Sequence, residues 1–290
     1  LTQANKIHKE FLGLAINNNS VPEILKTLSS IIRIPCAFID THFRNIFFSD
    51  ESSSLMQKLQ DADMESITSE FLEQYDYYTV ANKNEQFGFL LFEKGCLQMQ
   101  ENGNMQTALE YASIVLILHI QVQIANQQMA EKYKASFLED LLTNNVKTDV
   151  EIHNRARLYG WDFTNGGLAA VVDINNIKKY FTDHLDSNTN RMLEEATEII
   201  FRHSIQEMHQ MFPQSKYFRQ SDLIVFIISV PKDSRELLAD QLEQTFKRLQ
   251  SQLSHVSPFT ITLGIGQYYE NIREISKSYS EARLAINLGY

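Results

Sequence analysis

Cysteine, proline, glycine and basic residues are all in short supply in this sequence, and each shortage excludes something. Two cysteines, Cys36 and Cys96, in 290 residues make no disulfide framework and supply too few ligands for a cysteine-rich zinc site. That usage suits a reducing cytoplasm. The ten glycines form neither a Gly-x-x-x-x-Gly-Lys phosphate loop nor a Gly-x-Gly-x-x-Gly fingerprint. No Gly-x-Ser-x-Gly elbow exists, so no Ser-His-Asp triad can be assigned. Lys and Arg number 26 against 36 Asp and Glu, a net charge of −10. Such a surface repels phosphate backbones, so these residues are not expected to bind nucleic acid on their own. The longest strongly apolar run, residues 114–118, is far short of the ~20 residues that span a bilayer, so no membrane partner is expected. No signal peptide is visible and the first residue is Leu, which leads us to expect a piece of a longer chain.

What is present is enough apolar material for two domains. The chain is 43% hydrophobic and 21% charged, and its length fits two units of ~100–200 residues. Ile7, Phe11, Leu14 and Ala15 have the spacing of one helix face. Ser20 with Glu23 then forms a capping-box signature, opening a helix that Pro35 prevents from continuing. Short β-type runs follow at residues 36–39, 46–48, 77–80 and 87–92, with a polar, acidic stretch at 49–73 predicted to be helix and loop over the sheet. This order gives a small α+β sensor-like domain.

From residue 101 to 142 the pattern is helical throughout. Ala108, Val115, Val122 and Met129 repeat every seven residues, and Tyr111, Leu118 and Ala125 form a second seam. Three consecutive heptads predict a helix that pairs with another helix, here in a homodimer. A second domain follows. Strands are predicted at 168–174, 217–219, 223–230 and 259–266, and helices at 150–159, 191–211, 234–254 and 272–288, with a polar loop at 183–190. The order β-α-β-β-α-β-α is that of a ferredoxin-like sheet with helices on one face.

Asp173, at the end of a buried-looking strand, is the residue best placed to hold Mg²⁺ beside a phosphate-bearing ligand. Here the sequence resembles the GGDEF nucleotide-cyclase domain, whose Asp-x-Asp-x-Phe-Lys-like segment corresponds to Asp173-Ile174-Asn175-Asn176-Ile177-Lys178. Its acidic signature hairpin would fall at Phe218-Arg219-Gln220-Ser221-Asp222-Leu223. Aligned on Asp222-Leu223, both glycines are missing and Ser221 replaces an acid. A side chain at Gln220 would intrude where backbone must approach a nucleotide. The lost carboxylate removes half of the metal clamp needed for in-line phosphoryl attack. The eight histidines (8, 42, 119, 153, 184, 203, 209 and 255) are scattered, and His203 and His209 do not align on one helix turn as a zinc pair would. No catalytic constellation, metal site or cofactor is expected, and the chain is read as not an enzyme.

The closing segment, Gly264-Ile265-Gly266 followed by Ser278-Tyr279-Ser280-Glu281-Ala282-Arg283, resembles the end of the middle domain in PucR/CdaR-type transcriptional regulators. Phe137-Leu138-Glu139-Asp140-Leu141-Leu142 and Arg157-Leu158-Tyr159-Gly160-Trp161-Asp162 are similar to that family as well. The resemblance implies an α+β chain in three parts: a GAF-like sensor domain at 1–100, a long connecting and dimerisation helix at 101–144, and a degenerate GGDEF-like domain at 145–290. It also implies that DNA is contacted only through a C-terminal helix-turn-helix domain missing from this chain. In a GAF-like sheet, Phe38, Asp40, Phe47, Tyr77, Tyr78 and Phe89 would line a pocket for a small-molecule effector. Two other readings stay open: a divergent nucleotide-binding or cyclase protein anchored by Asp173, and a dimerisation scaffold without ligand. Cys36 is weighed as an oxidation sensor and read instead as an inert buried thiol.

Overall fold

The computed structural model describes residues 3–59, 67–97, 103–146, 148–175, 187–255 and 259–288. The chain divides into two compact units, Leu1–Met129 and Ala130–Tyr290.

The first unit opens with helices α1 (Gln3–Ile16) and α2 (Val21–Ile32). Ile7 and Phe11 are the buried face of α1, as their spacing predicts. The Glu23 carboxylate accepts from the Ser20 backbone N–H (2.9 Å) and hydroxyl (3.0 Å), so the start of α2 carries the expected box. Arg33, in the left-handed region at φ 59°, ends α2 before Pro35. Strands β1 (Ala37–Asp40), β2 (Asn45–Phe48), β3 (Asp76–Ala81) and β4 (Gln86–Phe92) form an antiparallel sheet in the order β2-β1-β4-β3. Helices α3 (Ser54–Leu59) and α4 (Ser69–Leu72) fall within the acidic stretch, whose residues 60–66 lie outside the described set. One sheet face packs on α1, α2 and the early turns of α5 (Gly103–Leu142). The other face buries Ala37, Ile39 and Leu91 under Leu55, Leu59 and Leu72.

Helix α5 has no internal Pro or Gly, which allows 40 unbroken residues. An 18-residue window reaches a mean hydropathy of 1.5, so by length and composition alone it could cross a membrane. The apolar character thus extends beyond the run 114–118. Part of it is core: Ala108, Leu109, Ala112, Val115, Leu116 and Ile120 are buried within the first unit.

The second unit contains the end of α5, α6 (Asp149–Leu158), β5 (Leu168–Ile174), α7 (Ser187–Met211), β6 (Lys216–Gln220), β7 (Leu223–Ile228), α8 (Leu238–Leu253), β8 (Ile261–Ile265) and α9 (Ile275–Leu288). The sheet order β6-β7-β5-β8, antiparallel throughout, is the ferredoxin-like arrangement. Helices do not lie on one face, as the sequence reading had it. Ala170, Val172, Ile224 and Phe226 pack under α7 and α8, while Ala169, Val171, Val225 and Ile227 pack under α5, α6 and α9. Two-sided burial explains why β5 reads as a continuous apolar run.

Two boundaries also shift. Residues 187–190 of the expected polar loop open α7, and 183–186 lie outside the described residues. The helix expected from 234 starts at Leu238, after a 3-10 turn at Lys232–Ser234. Arg235 lies in this entry, where its guanidinium donates to Glu270 (2.8 Å) and to the Asn165 carbonyl (2.9 Å) and lies over the Tyr268 ring.

The closing motif is a backbone-to-backbone contact. A Cβ on Gly264 would stand 2.0 Å from the Ala282 carbonyl oxygen, and one on Gly266 would stand 1.9 Å from that of Ser278. The buried Ser278 hydroxyl accepts from the Ala169 N–H (2.8 Å). Glu281 accepts from the Gln267 N–H (2.8 Å) and the Tyr269 hydroxyl (2.7 Å). Each of these side chains fastens α9 to the sheet or to the loop after it. We expect Gly266→Val to destabilise the second unit by about 2 kcal/mol or more, and Ser278→Ala by about 1–3 kcal/mol through the lost acceptor for Ala169. Urea denaturation checks both, and an unchanged midpoint for Gly266→Val contradicts the close approach.

Candidate functional site

The end of β5 and the β6–β7 turn form one corner of the second unit. Asp173 faces Leu223 across the ladder, and the Ile174 N–H donates to the Asp222 carbonyl (3.2 Å). Gln220 pairs with Leu223, leaving Ser221 and Asp222 as a two-residue turn. Ser221 takes φ 55°, a conformation that favours glycine. Asn175, in the position of a second acid, donates from Nδ2 to Thr260 Oγ1 (3.0 Å) and accepts from the Thr262 hydroxyl (2.9 Å). The Tyr279 hydroxyl donates to Gln220 Oε1 (3.3 Å). Asp173 and Asp222 each have interactions of their own. A cleft of about 710 Å³ lies between this turn and α9, with Asp222 and Arg283 in its walls.

Among the described residues, no three His, Cys, Asp or Glu side chains come close enough to share a metal ion. An amide fastened to two threonines (Asn175) and a serine (Ser221) flank the two carboxylates of this corner, Asp173 and Asp222. Asn176, Ile177 and Lys178 of the same segment lie outside the described residues.

The six aromatic and polar candidates of the first unit do not converge. Phe38, Phe47 and Tyr78 belong to the face filled by α1, α2 and α5. Phe89 lies on the opposite face, under α3 and α4, where Tyr77 meets it edge-on at 5.8 Å between ring centroids. The buried Asp40 carboxylate accepts from the backbone N–H groups of His42 (2.8 Å) and Phe43 (3.1 Å), holding the β1–β2 turn. Of the six, Phe89 lies beneath the helical excursion and the half-exposed Tyr77 adjoins it.

The heptad residues divide in two. Ala108 (0% exposed) and Val115 (5%) are buried in their own unit's core, and Tyr111 packs against that core with its ring stacked on His8. Leu118 (47%), Val122 (46%), Ala125 and Met129 (57%) are exposed. Ile114, half-exposed one turn before Leu118, continues this stripe. Sequence reading missed it, although the spacing of four from Leu118 was the available signal.

The segments quoted around α6 are structural. Phe137, Leu138, Leu141 and Leu142 are buried, and Asp140 accepts from both terminal nitrogens of Arg155 at 3.0 Å. Tyr159 and Trp161 each lie 6.1 Å from the Phe137 ring.

A ferredoxin-like antiparallel sheet with a strand-end aspartate beside a two-residue hairpin turn defines a class. Residues 143–288 match the GGDEF-like domain, and the chain belongs to that family. Over its whole length it is also 21% identical to the purine catabolism regulatory protein of Bacillus subtilis (strain 168), covering 54% of that protein. The chain therefore spans about half the length of this curated relative.

Cys36 is enclosed beneath α2, its thiol donating to the Leu25 carbonyl (3.7 Å), and burial pushes its pKa up to about 12. Reactive thiolate requires pH above that value, so at pH 8 roughly one part in 10⁴ is ionised. Cys96 is half-buried. We expect Ellman's reagent to titrate one thiol in the native protein at pH 8 and two in denaturant. Rapid labelling of both in the native state contradicts an inert Cys36.

Proposed function

We propose that the chain is the effector-sensing and dimerising region of a bacterial PucR-type transcriptional regulator, working in the cytoplasm without catalysis of its own. The observation that carries this reading is the β6–β7 corner. Gln220, Ser221 and Asn175 occupy the positions of catalytic backbone and acids, and the Gln220 and Asn175 side chains are held by Tyr279, Thr260 and Thr262. In-line phosphoryl attack needs paired carboxylates around metal, and the corner offers no second one at Asn175 or Ser221. Similarity to a regulator over the whole chain supports the same reading. DNA would be reached through a helix-turn-helix domain outside these residues.

The partner is a second copy. Leu118, Val122, Ala125 and Met129 follow spacings of four, three and four, which suit a like helix alongside. The effector would bind in the first unit near Tyr77 and Phe89. It would act by preferring one of two arrangements of the paired helices, since a ligand shifts an equilibrium only by its difference in affinity for the two states.

Two experiments test the proposal. Leu118→Asp with Val122→Asp leaves the buried core positions untouched and should lower the dimer fraction in sedimentation velocity at least tenfold in apparent association constant; an unchanged dimer contradicts the seam. Incubation with GTP and Mg²⁺ followed by product chromatography should give no cyclic dinucleotide. Turnover that Asp173→Ala abolishes would overturn the regulatory reading in favour of a cyclase.

A further inference from the structure

The second unit holds a cleft of about 560 Å³ away from the β6–β7 turn, alongside the free edge of β6. Its walls come from the α5 turn at 131–135, Trp161 and the segment leading into β6. That volume lies in the range of small-molecule sites, ~300–1,000 Å³.

The charge in this cleft opposes that of the protein. Lys132, Lys134, Lys216 and Arg219 line it, with Glu131 as a carboxylate among them. Lys134 takes Glu131 (2.7 Å), and Arg219 takes Glu198 through both terminal nitrogens (2.7 and 3.1 Å). Lys132 and Lys216 are left with no carboxylate among the described residues. The Lys216 ammonium instead sits 5.7 Å from the centroid of the Trp161 ring. Burial lowers its pKa, with no opposing charge to hold it up. A partly buried cation facing a ring, without a carboxylate beside it, has room for an anion.

The remaining walls are ordered in advance. Trp161 is wedged among Phe137, Tyr159 and Phe163. Tyr217 stands edge-on to His209 at 5.5 Å and tilts against Phe226 at 6.1 Å. Ser215 lies in the same wall with a buried hydroxyl that has no hydrogen-bond partner among the described residues. Preset rings lose little freedom when a flat ligand settles on them.

We propose that this cleft binds a small oxyanion carried on a planar ring, an aromatic carboxylate or a mononucleotide, with the anion at Lys216 and Lys132 and the ring against Trp161. The site lies in the GGDEF-like unit and does not depend on the effector reading of the first. Trp161 is the single tryptophan, so its emission reports occupancy directly.

The experiment titrates the full chain with benzoate and with AMP, using adenosine and inorganic phosphate as controls, and follows Trp161 fluorescence with calorimetry alongside. We expect a saturable change with at least one ring-bearing anion, none with adenosine, and at least tenfold weaker binding in Lys216→Met. Lys132→Met serves the same purpose if circular dichroism shows that Lys216→Met is unfolded. Silence with both ring-bearing anions overturns the proposal, as does undiminished affinity in the folded variants or phosphate binding as tightly as AMP.

Discussion

The second unit depends on one contact: strand β8 lies directly on helix α9 with no side chain between them. Gly264 and Gly266 let the sheet approach the carbonyls of Ala282 and Ser278, and the Ser278 hydroxyl then reaches across to the Ala169 N–H. A helix seated this close covers β8 and β5 on its side of the sheet, and α5 and α6 cover the rest of that face, so β5 and β7 can be apolar on both sides. It also places Tyr279 at the hairpin turn and Glu281 at the loop after β8. A motif that looks functional by its polarity is a set of fastenings, and losing one loosens the domain before it affects any ligand.

Local signals were legible in the sequence. The box at Ser20 and Glu23 lies within one turn of chain and formed as read. The length of α5 followed from its lack of breakers, and the β-α-β-β-α-β-α order from alternating patterns. Signals that depend on distant packing were not legible. Heptad spacing on α5 describes a stripe but cannot tell an intramolecular sheet from a partner helix, so Ala108 and Val115 looked like Val122 and Met129. Strand parity was readable and was not used: Tyr77 and Tyr78 are consecutive and must point to opposite faces, which already divides the candidate pocket. Arg235, just before α8, finds its partners 35 and 70 residues away, beyond any local rule.

The polar groups of the β6–β7 corner are largely engaged with one another. The β6–β7 corner keeps the hairpin and the strand-end carboxylate of the nucleotide-cyclase pattern. The flanking polar side chains now bind one another, Asn175 with Thr260 and Thr262, Gln220 with Tyr279. Unmet polar demand lies elsewhere, at Lys216 and the buried Ser215 hydroxyl.

An open sheet margin invites a neighbour's strand to add to it, and β6 is such a margin. This strand carries two cations on opposite faces, Lys216 against Trp161 and Arg219 against Glu198. Charged side chains on an open margin are one device by which sheets resist growth from molecule to molecule.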